Sequence, residues 1–133
     1  MGITNGWVFT KTYFDAPKFL AATGNAYRVV SARPFNDKHA KLPDGLTLTL
    51  TILEDNYDYG ADKKTGLKRE NNVCQNFDVT VLDRSCTPQR GDIVQLVDFD
   101  AENSFVIKFD YILRFHGVKI LQSAQAQNGE NHA

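Results

Sequence analysis

Two cysteines and three histidines in 133 residues leave little material for a metal centre or a disulfide framework. Cys74 and Cys86 do not form a Cys-x-x-Cys pair. In a reducing cytosol they are expected as free thiols, with Cys74 buried at a strand start. His39, His116 and His132 fall in a loop, after a strand and in the C-terminal tail, none at ligand spacing with a cysteine or carboxylate. His116, beside Gly117 and without converging partners, reads as structural. The chain has neither a Gly-x-Ser-x-Gly elbow nor a Gly-x-x-x-x-Gly-Lys phosphate loop. The expectation is a protein that is not an enzyme and needs no cofactor and no metal.

A surplus of one charge is missing as well. Fifteen basic residues face sixteen acidic ones, a formal net charge of −1. No global field attracts a polyanion, so any nucleic-acid contact must come from a local patch. No apolar run approaches the roughly 18 residues of a membrane span. The first residues lack the charged-then-apolar plan of a secretory signal. Met1-Gly2 invites N-myristoylation, but Gly6 stands where Ser or Thr is required. A cytoplasmic protein without a membrane partner is expected. Asp55-Asn-Tyr-Asp-Tyr-Gly60 fails as a calcium loop, because Tyr57 and Tyr59 occupy ligand places and Gly66 replaces the bidentate Glu. Arg90-Gly91-Asp92 reads as a turn entering a strand.

What is present is a folded composition, 42% hydrophobic and 11% aromatic. At this length one domain burying roughly two-thirds of its unfolded surface is expected. Leu46–Ile52 reads Leu-Thr-Leu-Thr-Leu-Thr-Ile. Alternate side chains leave opposite faces of a strand, so the leucines point to a core and Thr47, Thr49 and Thr51 point outward. Before it, Ile3–Tyr13 suits a short strand or packing arm. A helix follows, with Asp15 as cap, Pro17 in the first turn, Gly24 as terminator, and Phe19 and Leu20 as buried anchors. A first strand starts at Tyr27, and Pro34 is expected to end its pairing.

Beyond Leu46–Leu53, the segment Glu54–Asn72 is a long irregular connection of the kind that carries function. Val73–Leu82, Ile93–Val97 and Phe105–Phe115 read as the third, fourth and fifth strands. Gly117 marks an expected bend or bulge before Val118–Leu121. Five strands, one short helix and no βαβ spacing indicate an all-β protein. Closure into a five-stranded OB-type barrel removes exposed edges most economically, with a two-sheet sandwich as the second choice. The domain spans 1–121, with an N-terminal arm and helix over 1–25. A polar tail over 122–133 is expected to be disordered.

The candidate binding residues are aromatics interleaved with cations. Tyr57 and Tyr59 offer flat rings beside Lys63, Lys64, Lys68 and Arg69. A base stacked on such a ring gains about 1–3 kcal/mol whatever its identity, and lysines at phosphates gain affinity by releasing counterions. Against this, Asp55, Asp58 and Asp62 dilute the positive charge, as in an ordinary solvated loop. Arg28 and Arg33 lie on the first strand, which runs into Phe35 and Lys38; Lys108 and Arg114 share one face of the fifth. On an OB-type barrel the groove crosses strands 2 and 3, flanked by loops 1–2 (Phe35–Gly45) and 4–5 (Asp98–Glu102).

The alternating Leu46–Ile52, the hairpin Tyr57–Arg69, Phe77-Asp-Val-Thr-Val-Leu82 and Arg90-Gly-Asp-Ile-Val-Gln-Leu96 resemble the OB-fold single-stranded-DNA-binding proteins, especially the small ones of phages and conjugative plasmids. The resemblance covers about Tyr27 to Leu121. It implies coating of single strands during replication or transfer, without cofactor or sequence code, and homo-oligomerisation. Two departures stand out: Arg84–Arg90 leaves no room for the usual helix between strands 3 and 4, and the tail lacks an acidic, hydrophobic-tipped end. The leading expectation is a sequence-independent single-stranded DNA-binding protein, with RNA equally served by stacking. The rival is a structural or protein-interaction module, such as a small virion or assembly component.

Overall fold

The structure, a computed structural model, describes residues 2–9, 12–39 and 41–124. A 3-10 turn (Gly6–Phe9) precedes helix α1 (Ala16–Ala22) and the strands β1 (Tyr27–Phe35), β2 (Gly45–Ile52), β3 (Asn76–Val81) and β4 (Ile93–Phe99). A small hairpin, β5 (Phe105–Ile107) and β6 (Asp110–Ile112), then leads into β7 (Arg114–Gln122). Strands β1-β2-β3-β7-β4 close a five-stranded barrel. Its pairings are antiparallel except for β3 with β7, the connectivity of an OB-type barrel. No helix among the described residues is long and apolar enough to cross a membrane.

The alternation in β2 sets the inside and the outside. Leu46, Leu48, Leu50 and Ile52 are buried while the intervening threonines are half-exposed. They meet Val79 and Val81 of β3, Val94 and Leu96 of β4 and Phe115 of β7 in one core. Gly45 opens β2 where a Cβ would lie 1.9 Å from the Val81 carbonyl oxygen, so only glycine lets the strands approach there. Tyr27 is fully buried, and its hydroxyl lies 2.5 Å from that of Thr23. The Thr23 hydroxyl donates to the Phe19 carbonyl, so Tyr27 is the donor of the pair. Burial lifts the phenol to about 12.

Helix α1 closes one end of the barrel. Asp15 caps it by accepting from the Lys18 amide, and Gly24 follows at φ 72°. Phe19 stacks on Tyr27 and meets Phe77 edge-on at 5.4 Å. At Asn25, φ 46°, the side-chain amide exchanges two hydrogen bonds with the Leu96 backbone and so extends the β1–β4 ladder by one rung. The 82–92 connection between β3 and β4 holds turns and no helix.

Several local expectations change. Ile3–Tyr13 contains a 3-10 turn instead of a strand, with Thr10 and Lys11 outside the described residues. Pro34 stays in β1, paired with Leu46. The β1–β4 ladder includes only Tyr27 and Arg28, so proline falls where its missing N–H removes no partner from β4. Cys74 is exposed at φ 71° before β3 begins, and both cysteines are free. Gly117 pairs in register with Val97; the irregularities lie between Val29 and Ser31 and between Ile93 and Val94.

The largest correction concerns Phe105–Phe115. Its alternation fits a continuous strand, but the chain turns at Lys108, φ 55°, and folds into the β5–β6 hairpin. The barrel position passes to Arg114–Gln122. The tail expected from residue 122 begins within order: Gln122 pairs with Ile93 and the Ala124 amide donates to Asp92. The rest of that expectation, 125–133, lies outside the described residues.

Candidate functional site

Register assembles the outer face of the barrel into rows. Arg33 of β1, Thr47 of β2, Thr80 of β3 and Arg114 of β7 are cross-strand neighbours. The next row is Ser31, Thr49 and Asp78, and the third is Arg28, Thr51 and Asn76. Hydrogen bonds tie them: Arg33 donates to Ser31 at 3.0 Å and to Thr49 at 3.3 Å, Thr49 donates to Asp78 at 2.6 Å, and Thr51 donates to Asn76 at 2.6 Å. The threonine face noted in the sequence is thus an ordered polar platform with a cation on each side.

Arg114 is the best-held cation on that platform. Its guanidinium lies over the Phe35 ring at 5.9 Å and the Phe105 ring at 5.7 Å and donates to the Asn103 carbonyl at 2.6 Å. Its buried Nε has no hydrogen-bond partner among the described residues. Leaving such a donor unmade costs about 1–3 kcal/mol, so the geometry is kept against a penalty. Arg84 straps the neighbouring loop, donating to the Gly45 and Phe35 carbonyls. Within that loop the Asp37 carboxylate accepts from the amides of His39, Lys41 and Leu42. Those bonds, His39 first, hold its pKa below the usual carboxylate range, and Lys38 stands exposed beside it.

The β5–β6 hairpin leaves the barrel next to Arg114. The Ser104 hydroxyl donates to the Asp100 carbonyl and accepts from the Arg114 amide, fastening the hairpin's root. The buried Asp100 carboxylate accepts from Asn103 and lies 3.4 Å from His116 Nε2. Burial raises its pKa, but the Asn103 bonds and His116 outweigh that and bring it below the ordinary value. Tyr111 packs edge-on against Phe14 at 5.7 Å, while Phe109 at the tip is 91% exposed.

Across a cleft of about 770 Å³ stands the β2–β3 arm. Phe77, Asn76 and Asp78 line the cleft from β3, Phe109, Asp110 and Tyr111 from the hairpin, and Tyr59 and Asn72 from the arm. Asp55 clamps the arm: its carboxylate accepts from the Tyr59 hydroxyl at 2.6 Å, the Asn72 amide at 2.9 Å and the Tyr57 amide at 3.2 Å. Burial pushes Asp55 upward, but these donors prevail and lower its pKa; burial and then Asp55 raise that of Tyr59. Tyr57 meets Tyr59 edge-on at 4.9 Å and lies under the Lys18 ammonium at 4.8 Å, where hydrogen bonding to Tyr57 raises the Lys18 pKa.

The structure therefore splits the candidate residues. Arg33, Phe35 and Arg114 converge on one face, with Arg28 two rows away. Tyr59 faces the cleft, whereas Tyr57 folds back on α1. Lys63, Lys64, Lys68 and Arg69 lie on an exposed turn closed by the Ala61–Lys68 bridge, and Arg69 donates to the Tyr59 carbonyl. Lys108 sits in the hairpin turn and shares no strand face with Arg114, contrary to expectation, because the strand between them is broken. Phe105, Phe109 and Tyr111 do not stand out in the sequence as exposed rings, since alternation alone places them on a barrel strand. Among the described residues no three of His, Cys, Asp and Glu converge as a metal-ligand set.

Comparison with protein-family models, with curated proteins and with solved structures finds nothing that matches the chain.

Proposed function

We propose that this protein binds single-stranded nucleic acid, DNA foremost, along the outer face of β1, β2, β3 and β7, without chemistry and without a cofactor. The observation that carries the reading is Arg114 held between Phe35 and Phe105 on a threonine-lined face. Flat rings accept bases of any sequence, and the guanidiniums of Arg114 and Arg33 neutralise phosphates. The strand runs from Phe35 and Lys38 across Thr47 and Thr80 to the cleft bordered by Tyr59 and Tyr111. The cations of the 60–69 turn add longer-range attraction. Coating of exposed strands during phage or plasmid replication or transfer, in the cytoplasm and by several copies together, is the role such binding serves. RNA is served by the same stacking unless a contact reads its 2′-hydroxyl.

Fluorescence anisotropy with a labelled oligonucleotide at two salt concentrations tests this. Binding at low salt that weakens as salt rises is expected. Absence of binding at low salt, or binding indifferent to salt, overturns it. A second reading, a structural or assembly module, draws on the exposed Ile107, Phe109 and Tyr111 of the hairpin and on the near-zero net charge. Its signature is stable self-association without any affinity for oligonucleotides.

A further inference from the structure

We propose that the cleft between the β5–β6 hairpin and the β2–β3 arm is a base pocket that selects guanine. The inference rests on the single-strand reading above and departs from it by adding a base preference.

Among the described residues that line the cleft, none is a lysine or arginine, while Asp78 and Asp110 both line it. A phosphate is repelled there, and a neutral ring rich in N–H donors is favoured. Phe109 and Tyr111 give that ring apolar walls. The polar groups are oriented by the threonines of β2. The Asn76 Oδ1 accepts from Thr51, which turns the amide nitrogen outward as a donor. The Asp78 Oδ1 accepts from Thr49, which fixes the carboxylate as an acceptor. Two residues apart on one strand face, they present a donor and an acceptor about 7 Å apart at the backbone.

Unstacked bases are read on their Watson–Crick edges. Guanine alone among the DNA bases sets two adjacent N–H donors there, the ring imino and the exocyclic amino groups, beside a carbonyl acceptor. A carboxylate takes both donors in parallel bonds, and an amide N–H meets the carbonyl. Thymine turns a second carbonyl toward the carboxylates, and cytosine and adenine offer one donor group and a bare ring nitrogen. Thr80, the next outward residue of β3 after Asp78, pairs with Arg114, so a neighbouring phosphate finds its cation one step along the strand.

The test compares, by anisotropy at low salt, a thymidine oligomer with oligomers carrying one central guanosine, adenosine or deoxyinosine. The guanosine oligomer is expected to bind about tenfold tighter than the thymidine one. Deoxyinosine, which lacks the amino group, and adenosine should lose most of that gain. Asp78→Asn and, separately, Asp110→Asn should shrink the guanosine-to-thymidine ratio, a readout insensitive to the general attraction gained by removing a negative charge. Equal binding of guanosine and thymidine oligomers, or of guanosine and adenosine ones, overturns the guanine assignment and leaves the single-strand reading standing. Failure of every oligomer to bind overturns both.

Discussion

Two arms border the cleft, and they divide charge and stacking surface between them. The arm over residues 54–72 carries four cations on an exposed turn, but its tyrosines are engaged internally, Tyr59 by Asp55 and Tyr57 by Lys18. The β5–β6 hairpin offers exposed rings, and Arg114 at its root is held between Phe105 and Phe35. Stacking needs a ring fixed in place with an open face. Attraction of a polyanion needs only charge within a Debye length, about 8–10 Å. In the proposed binding of a single strand, the first arm suits capture and the second suits grip.

The sharpest way to break this contrast is to remove the grip. Phe35→Ala combined with Phe105→Ala should cost about 2–6 kcal/mol of binding, from about 1–3 kcal/mol per stacked ring. Tyr57→Ala, on the other arm, should leave affinity nearly unchanged in the same titration. An equal loss from both would erase the division of labour.

Next in size is the clamp of the first arm. Asp55→Ala strands the Tyr59 hydroxyl and the Asn72 amide, and should lower stability by about 1–3 kcal/mol in a denaturant titration. Affinity for a short oligonucleotide should change less than stability does. A smaller effect is expected for Lys63→Ala with Lys64→Ala. Affinity should fall modestly, and the slope of log K against log salt should become shallower by about 1.4, at about 0.7 for each phosphate no longer neutralised. An unchanged slope would take the turn out of the binding path.

The smallest expected effect is with pH. Asp55 and Asp100 both have lowered pKa values, so their contribution is complete above the ordinary carboxylate pKa of about 4 and is lost as pH falls through their folded values. The protection of the Asn72 and Asn103 amides, which the two carboxylates hold, measured as exchange relative to the intrinsic rate at each pH, should fall below about pH 4 and be flat above it. Protection lost only on the alkaline side would contradict the sign of both shifts.

Much of the barrel is legible in the chain because a strand buried on one face must alternate, as Leu46–Ile52 does. The same alternation misleads at Phe105–Phe115. A hairpin with two short arms shows the same period as one long strand, and its turn at Lys108 and Phe109 carries no glycine or asparagine to announce it. Tyr57 with Lys63, Lys64, Lys68 and Arg69 attracts notice because those residues are adjacent in sequence. Phe35, Phe105 and Arg114 do not, because nearly seventy positions separate the first from the second, and only strand register brings them together.

Composition and periodicity by themselves determined an all-β chain, the inward leucines, the capped helix and the outward threonines, since each follows from contacts a few residues apart. Barrel closure alone decided that Arg114 meets Phe35, and that the aromatic hairpin, not the basic turn, stands beside Arg114. Those pairings depend on cross-strand register between distant segments, which the packing of the whole core sets and no local pattern encodes.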